Sequence, residues 1–215
     1  MNLSRIRWDL KLGRPVQTLD LIDQLRMTAA NALAQSSDYD LNPDVILPKG
    51  RKLREAAVLI PIWQRKGGLR LILTKRASGM KHHPGQIAFP GGKRDPEDEN
   101  LHATALREAH EEIALPVSHV DIFGELPIHE TVTGFQVQPI LGLIRDDFDP
   151  IAEPGEVAEV FTVPLDHLLD PANYVIEGRR WRGTRRRYFA VPYGPYYIWG
   201  ATARILRSLA GPMIQ

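Results

Sequence analysis

The sequence predicts an α/β sandwich, a mixed sheet with helices outside, and three observations predict it. Apolar runs of strand length, bounded by glycine, proline and polar clusters, recur from Ala56 to Trp199. Helical periodicity appears in Thr18 to Gln35, Leu101 to Ile113 and Ala201 to Leu209. Hydrophobic residues make up 43% of the 215 positions, enough for the core of one ordinary domain with an appended arm.

Taken in order, Thr18 to Gln35 places Leu19, Ile22, Leu25 and Ala29 on one helical stripe. The polar, proline-containing stretch Ser36 to Leu53 reads as a linker or surface wrap. Ala56 to Ile62 and Leu69 to Thr74 are strands joined through Lys66-Gly67-Gly68, a hairpin signal. Gln86 to Phe89 continues as a short strand into a glycine turn, and a helix follows from Leu101 to Ile113. Val120 to Leu126, Phe135 to Ile144 and Val157 to Val163 are further strands, and Leu165 to Leu169 is a short helix before Asp170-Pro171. Arg185 to Val191 and Tyr196 to Trp199 are strands ahead of a final helix from Ala201 to Leu209.

The chemistry-bearing residues follow Phe89-Pro90-Gly91-Gly92. Gly91 and Gly92 let the backbone approach a ligand closely. In Arg107-Glu108-Ala109-His110-Glu111-Glu112, the three glutamates fall within an arc of roughly 100° at helical spacing, while Leu106, Ala109 and Ile113 point the other way. Carboxylates converging on one point repel each other unless a cation sits among them, and hard oxygen donors suit Mg²⁺ or Mn²⁺. Arg107, four residues before Glu111, is spaced to pair with it.

Together the glycine turn and the glutamate helix resemble the Nudix box. Upstream, Ile72-Leu73-Thr74-Lys75-Arg76-Ala77, then Lys81, Gly85 and Phe89-Pro90-Gly91-Gly92, resemble the second motif of the coenzyme A pyrophosphatase branch of the Nudix hydrolases. Thr133-Gly134-Phe135-Gln136-Val137 and Ile198-Trp199-Gly200-Ala201-Thr202-Ala203 are also similar to that branch, so the resemblance spans about Ala56 to Leu209. It implies a Nudix-type α/β/α sandwich over residues 51–215. Residues 1–50 remain as a helical arm and linker, open to a dimerisation or lid role.

The resemblance implies hydrolysis of the diphosphate of coenzyme A, or a derivative, to 3′,5′-ADP and 4′-phosphopantetheine, with Mg²⁺ or Mn²⁺ as cofactor. Glu108 and Glu112 are the principal metal ligands expected, with Glu111 and the Gly92 carbonyl completing the shell. Arg107, Glu108, Glu111 and Glu112 form the catalytic set, and Arg76, Lys81, Gly91 and Gly92 the substrate contacts. Three positions depart from the family pattern. Ala77 lacks a serine hydroxyl, and Lys81 lacks the fork of an arginine. Ala114 stands where a glycine normally ends the helix, at a cost on the order of 1 kcal/mol if its φ is positive. Asp98 lies six residues after Gly92, and Glu99 restores the eight-residue distance to Arg107. Two alternatives stay open: another nucleoside diphosphate derivative such as ADP-ribose, NADH or a dinucleotide, and a nucleotide sensor without turnover.

Other residues carry two readings each. Glu130 is a loop carboxylate or a general base. Arg179, Arg180, Arg182, Arg185, Arg186 and Arg187 form a solvated hairpin around Gly183 or a site for an extra ribose phosphate. His82, His83 and His110 read as solvent-facing, and the aromatic run Tyr193, Tyr196, Tyr197 and Trp199 reads as core packing or an adenine stack. A formal charge of +1 gives no global pull toward nucleic acid or membrane, which leaves a small nucleotide as the expected partner. The absence of cysteine excludes disulfides, thiolate zinc sites and a cysteine nucleophile. Met1 to Lys11 has no signal-peptide core and Pro212 to Gln215 is no peroxisomal address, so a cytoplasmic location is expected.

Overall fold

The computed structural model of the chain describes residues 8–9, 14–15, 18–32, 34–48, 50–80, 83–181 and 184–211. In chain order its elements are strands β1 (Trp8–Asp9) and β2 (Arg14–Pro15), helix α1 (Thr18–Asn31), and strands β3 (Ser36–Ser37), β4 (Arg54–Arg65), β5 (Gly68–Arg76), β6 (Ile87–Ala88) and β7 (Gly91–Lys93). Helix α2 (Leu101–Ile113) leads to β8 (Val120–Glu125), β9 (His129–Glu130), β10 (Phe135–Ile144) and β11 (Val157–Pro164). Helix α3 (Leu165–Leu169), strands β12 (Val175–Trp181), β13 (Thr184–Tyr193) and β14 (Tyr196–Trp199), and helix α4 (Ala201–Leu209) complete the chain.

A nine-stranded sheet runs β11-β5-β4-β10-β9-β3, with β6, β7 and β8 paired onto β5, β4 and β10. It is mixed because β10 runs parallel to β4, from Phe135 opposite Arg54 to Ile144 opposite Trp63, while β5 is antiparallel to β4. The hairpin closes with Arg65 opposite Gly68, and Gly67 supplies the positive φ of 98° the tight turn requires. A strand paired on both edges and covered on both faces reads as a continuous apolar run, and Ala56 to Trp63 in β4 is such a run.

Strand alternation divides the core. Ala57, Leu59 and Trp63 of β4 and Ile140 and Ile144 of β10 meet Ala105, Ala109 and Ile113 of α2 on one face. Ile60, Ile62, Leu71 and Leu141 meet α1 through Ile22, Leu25 and Ala29, and α4 through Ala203, Ile205, Leu206 and Leu209, on the other. Helices thus cover both faces of the mixed sheet, the expected α/β/α sandwich. Among the described residues no helix is long and apolar enough to cross a membrane.

The stretch read as a surface wrap is fastened at its start. Ser36 and Ser37 pair in parallel with His129 and Glu130, and Ser36 Oγ lies 2.9 Å from the buried His129 Nδ1. The hairpin read over the arginine run is present as β12 and β13, which with β14 form a separate three-stranded sheet. Glu177, Arg179 and Arg180 leave β12 without apolar alternation, since it leans on one neighbour only.

Candidate functional site

Strand β7 and helix α2 build the site. Gly91 and Gly92 pair with Val58 and Ala57 of β4, which draws the turn against the middle of the sheet. A Cβ on Gly91 would sit 2.5 Å from the Ala57 carbonyl oxygen and 2.6 Å from Val58 Cα, so only glycine fits. A Cβ on Gly92 would sit 2.5 Å from Glu108 Cδ, so the Glu108 carboxylate lies directly on the turn. Asn100 opens α2 by accepting the Ala103 N–H at 3.0 Å, a cap that satisfies an otherwise orphaned donor. Ala114 ends it at φ 56° and ψ 28°, the left-handed conformation the sequence implied.

The glutamates are not equivalent. Glu111 is 55% exposed, Glu108 only 16%. Glu112 is buried at 5%, and its Oε2 has no hydrogen-bond partner. Burial pushes the Glu112 carboxyl up to about 8, with the Glu108 charge adding to it, while Arg76 and the Gly91 N–H pull the other way. Burial also raises Glu108, although the Arg107 charge beside it opposes the rise. The charge of Glu156, at the start of β11, disfavours ionisation of both. Among the described residues no three His, Asp or Glu side chains are gathered into a metal-holding group.

Arg107 organises the rim. Its Nε and Nη2 donate to Asp98 Oδ1 and Oδ2 at 2.9 and 3.0 Å, and its Nη1 donates to Glu108 at 3.0 Å and Glu111 at 2.9 Å. Asp98 accepts also from the Asp95 N–H and the Thr104 hydroxyl, each at 2.9 Å. Those hydrogen bonds, the Arg107 one foremost, hold its carboxyl well below the usual carboxylate range. The acid that reaches Arg107 is therefore Asp98, at six residues from Gly92, rather than Glu99.

Arg76 ends β5, beside Glu112 electrostatically, with a buried Nε that has no partner. The structure thus brings together Arg76, Gly91, Gly92, Arg107, Glu108 and Glu112, with Glu111 at the rim. Lys81 and His82 lie outside the described residues, as do Arg182 and Gly183. His83 and His110 are exposed. Glu130 is held by Arg51 at 2.6 Å. In the aromatic run Ile198 is buried and Tyr193 and Tyr196 pack on the core, whereas Tyr197 is exposed. Asp98 stands where its spacing from Gly92 put it, whereas Glu156, which no local pattern marks, escaped the sequence reading.

The donor set suits a divalent cation. Glu108 and Glu112 offer hard oxygens, and one of them, Glu112 Oε2, is buried without a protein partner among the described residues.

The family model described as NUDIX domain matches residues 53–181. The uncharacterized Nudix hydrolase NudL of Enterobacter sp. (strain 638) is 49% identical over 157 residues, covering 73% of this chain and 81% of that protein. NudL of Salmonella dublin, likewise uncharacterized, is 45% identical over 189 residues, covering 88% and 96%. Among solved structures, an Ap4A hydrolase binary complex from C. elegans is similar at 21% identity with a TM-score of 0.45, covering 53% of this chain and 82% of that one. A MutT protein from Methanosarcina mazei Go1 gives 23% and 0.45, covering 57% and 84%.

Proposed function

The chain belongs to the Nudix hydrolases, enzymes of pyrophosphate bonds in small nucleotide derivatives, and on that premise we propose that it hydrolyses the diphosphate of coenzyme A or its derivatives to 3′,5′-ADP and 4′-phosphopantetheine. The observation that carries the chemistry is the buried, half-unpartnered carboxylate of Glu112 beside Glu108 on a glycine turn. A bound Mg²⁺ or Mn²⁺ supplies charge neutralisation to the diphosphate and acidifies water. Glu108 and Glu112 would hold it, with the Gly92 carbonyl and Glu111 in support. Arg76, whose charge acts on Glu112, would bind a phosphate oxygen through its guanidinium. Arg107 keeps Glu108 and Glu111 in place. The substrate choice rests on the motif from Ile72 to Gly92, which resembles that branch although Ala77 lacks its hydroxyl.

The test incubates purified protein with coenzyme A, ADP-ribose and NADH in parallel, with Mg²⁺ or Mn²⁺, and separates the products. Metal-dependent release of 3′,5′-ADP, faster than cleavage of the others, is expected. Preference for ADP-ribose or NADH overturns the substrate and keeps the chemistry. Unchanged turnover in both Glu108→Gln and Glu112→Gln overturns the metal assignment.

A further inference from the structure

The ribbon β12–β13 places Arg179 directly opposite Arg186, Arg180 opposite Arg185, and Arg187 opposite Gly178. Like charges facing each other across a ladder destabilise it. Among the described residues no carboxylate lies within ion-pair distance of any of these arginines. The hydrolytic site does not use them either, so the fold maintains an uncompensated positive ribbon.

One face of that ribbon borders a cavity. Alternation puts Ile176, Gly178 and Arg180 on the same side as Arg185 and Arg187. The Arg185 side chain lies across Gly178, where a Cβ would meet its Nε at 2.7 Å. Opposite, residues 41–45 are pinned to the strand by buried Asn42, which accepts the Arg187 N–H at 2.8 Å and donates to the Arg187 carbonyl at 2.9 Å. Between them runs a groove of about 540 Å³, within the range of small-ligand sites. Leu41, Pro43, Val45 and Ile176 give it apolar walls, and Arg185 and Arg187 give it two guanidiniums. Asp44 and Glu177 are also on its lining, while Arg76, Glu108 and Glu112 are not.

We propose that this groove binds a phosphorylated nucleotide at a site separate from the hydrolytic centre. The mixed lining decides the class. Apolar walls take a base, the Asp44 carboxylate accepts from a ribose hydroxyl, and guanidinium forks take phosphates. Arg185 and Arg187, two residues apart on one strand face, stand about 6–7 Å apart along the backbone, which suits two phosphates carried by one ribose. A nucleic-acid strand or an acidic peptide, charged along its length, would meet Asp44 as repulsion.

Isothermal titration of the metal-free protein with adenosine 3′,5′-bisphosphate tests this, with adenosine and a thymidine oligonucleotide as comparisons. Expected is binding of the bisphosphate to the parent and to Glu112→Gln alike, weakened at least tenfold in Arg185→Ala/Arg187→Ala. Partial recovery in Arg185→Lys/Arg187→Lys supports a charge contact. The alanine pair relieves an Arg–Arg repulsion, so its melting temperature should not fall. If it does, the lysine pair and a single Arg187→Gln carry the comparison. Four results overturn the proposal: no binding by the parent, equal binding of adenosine, loss in Glu112→Gln with the arginine variants unaffected, or tighter binding of the oligonucleotide. None of these depends on which substrate the enzyme cleaves.

Discussion

Replacing Asp98 with alanine tests how the site is held together. Its side chain is 6% exposed and accepts from the Asp95 N–H, the Thr104 hydroxyl and both Nε and Nη2 of Arg107. Breaking a buried pair on one side costs about 3–5 kcal/mol. Arg107 is 26% exposed and keeps Glu108 and Glu111, so the loss falls at the lower end, about 3 kcal/mol at pH 7. Asp98→Asn keeps one acceptor oxygen but turns an NH₂ toward the donors of the other, so it recovers at most part of the loss. The pH dependence has a definite sign. Arg107 depresses the folded carboxyl, so the stability it confers is complete above the unfolded value near 4 and is lost as pH falls toward the folded value. At pH 3 the unfolded carboxyl is mostly protonated, and the gap between parent and variant narrows by about 1 kcal/mol. Urea unfolding at pH 7 and pH 3 measures both. A gap below about 0.5 kcal/mol at pH 7, or one that does not narrow at pH 3, refutes the reasoning.

Ala114→Gly should raise stability by about 0.5–1 kcal/mol in thermal melts, because relief of the left-handed strain exceeds the added chain entropy. Gly92→Ala should keep the fold but cut hydrolysis at least tenfold, since its Cβ displaces only the mobile end of Glu108; Gly91→Ala meets backbone and should cost about 2–3 kcal/mol by denaturation. In chelator, the contribution of Glu112 to stability should be complete below about pH 4.5 and be lost as pH rises toward 8, because the folded Glu112 carboxyl is raised to about 8. The loss is at most about 4–5 kcal/mol and should vanish in Glu112→Gln or on adding Mg²⁺; a flat profile in the parent refutes it. Arg107→Lys should lower kcat with little change in KM.

Much of this was legible because periodicity reports local burial. Phe135–Ile144, Leu165–Leu169, Tyr196–Trp199 and Ala201–Leu209 have the bounds their patterns imply. The glutamate helix has the bounds expected, Leu101–Ile113, but its sequence carried no measure of how deeply each glutamate is buried. Spacing gives an angle around the helix, but the burial of Glu112 depends on β4 and the glycine turn, which arrive from elsewhere in the chain. The β12–β13 ribbon was legible only as a hairpin of charged residues around Gly183, because a solvated ribbon needs no apolar alternation to fix its bounds. Glu156 reaches the site only through the pairing of β11 with β5, where Val157 lies opposite Arg76.

The two arginines of the site divide the work, and their hydrogen bonds say how. A guanidinium has five N–H donors. Those of Arg107 go to Asp98 through Nε and Nη2, to the Lys93 carbonyl through Nη2, and to Glu108 and Glu111 through Nη1. With its donors engaged, Arg107 can meet a phosphate only by releasing a glutamate, so it acts as a positioning residue. Lysine there has three donors without a fork and cannot hold Asp98 and both glutamates at once, which is why kcat rather than KM should change. Arg76 is the reverse case: its Nε has no partner among the described residues and its charge acts on Glu112, so on the proposed function its guanidinium is the one that meets the substrate. Arg76→Lys should therefore raise KM, and if Arg76→Lys and Arg107→Lys give the same kinetic signature this division of labour is wrong.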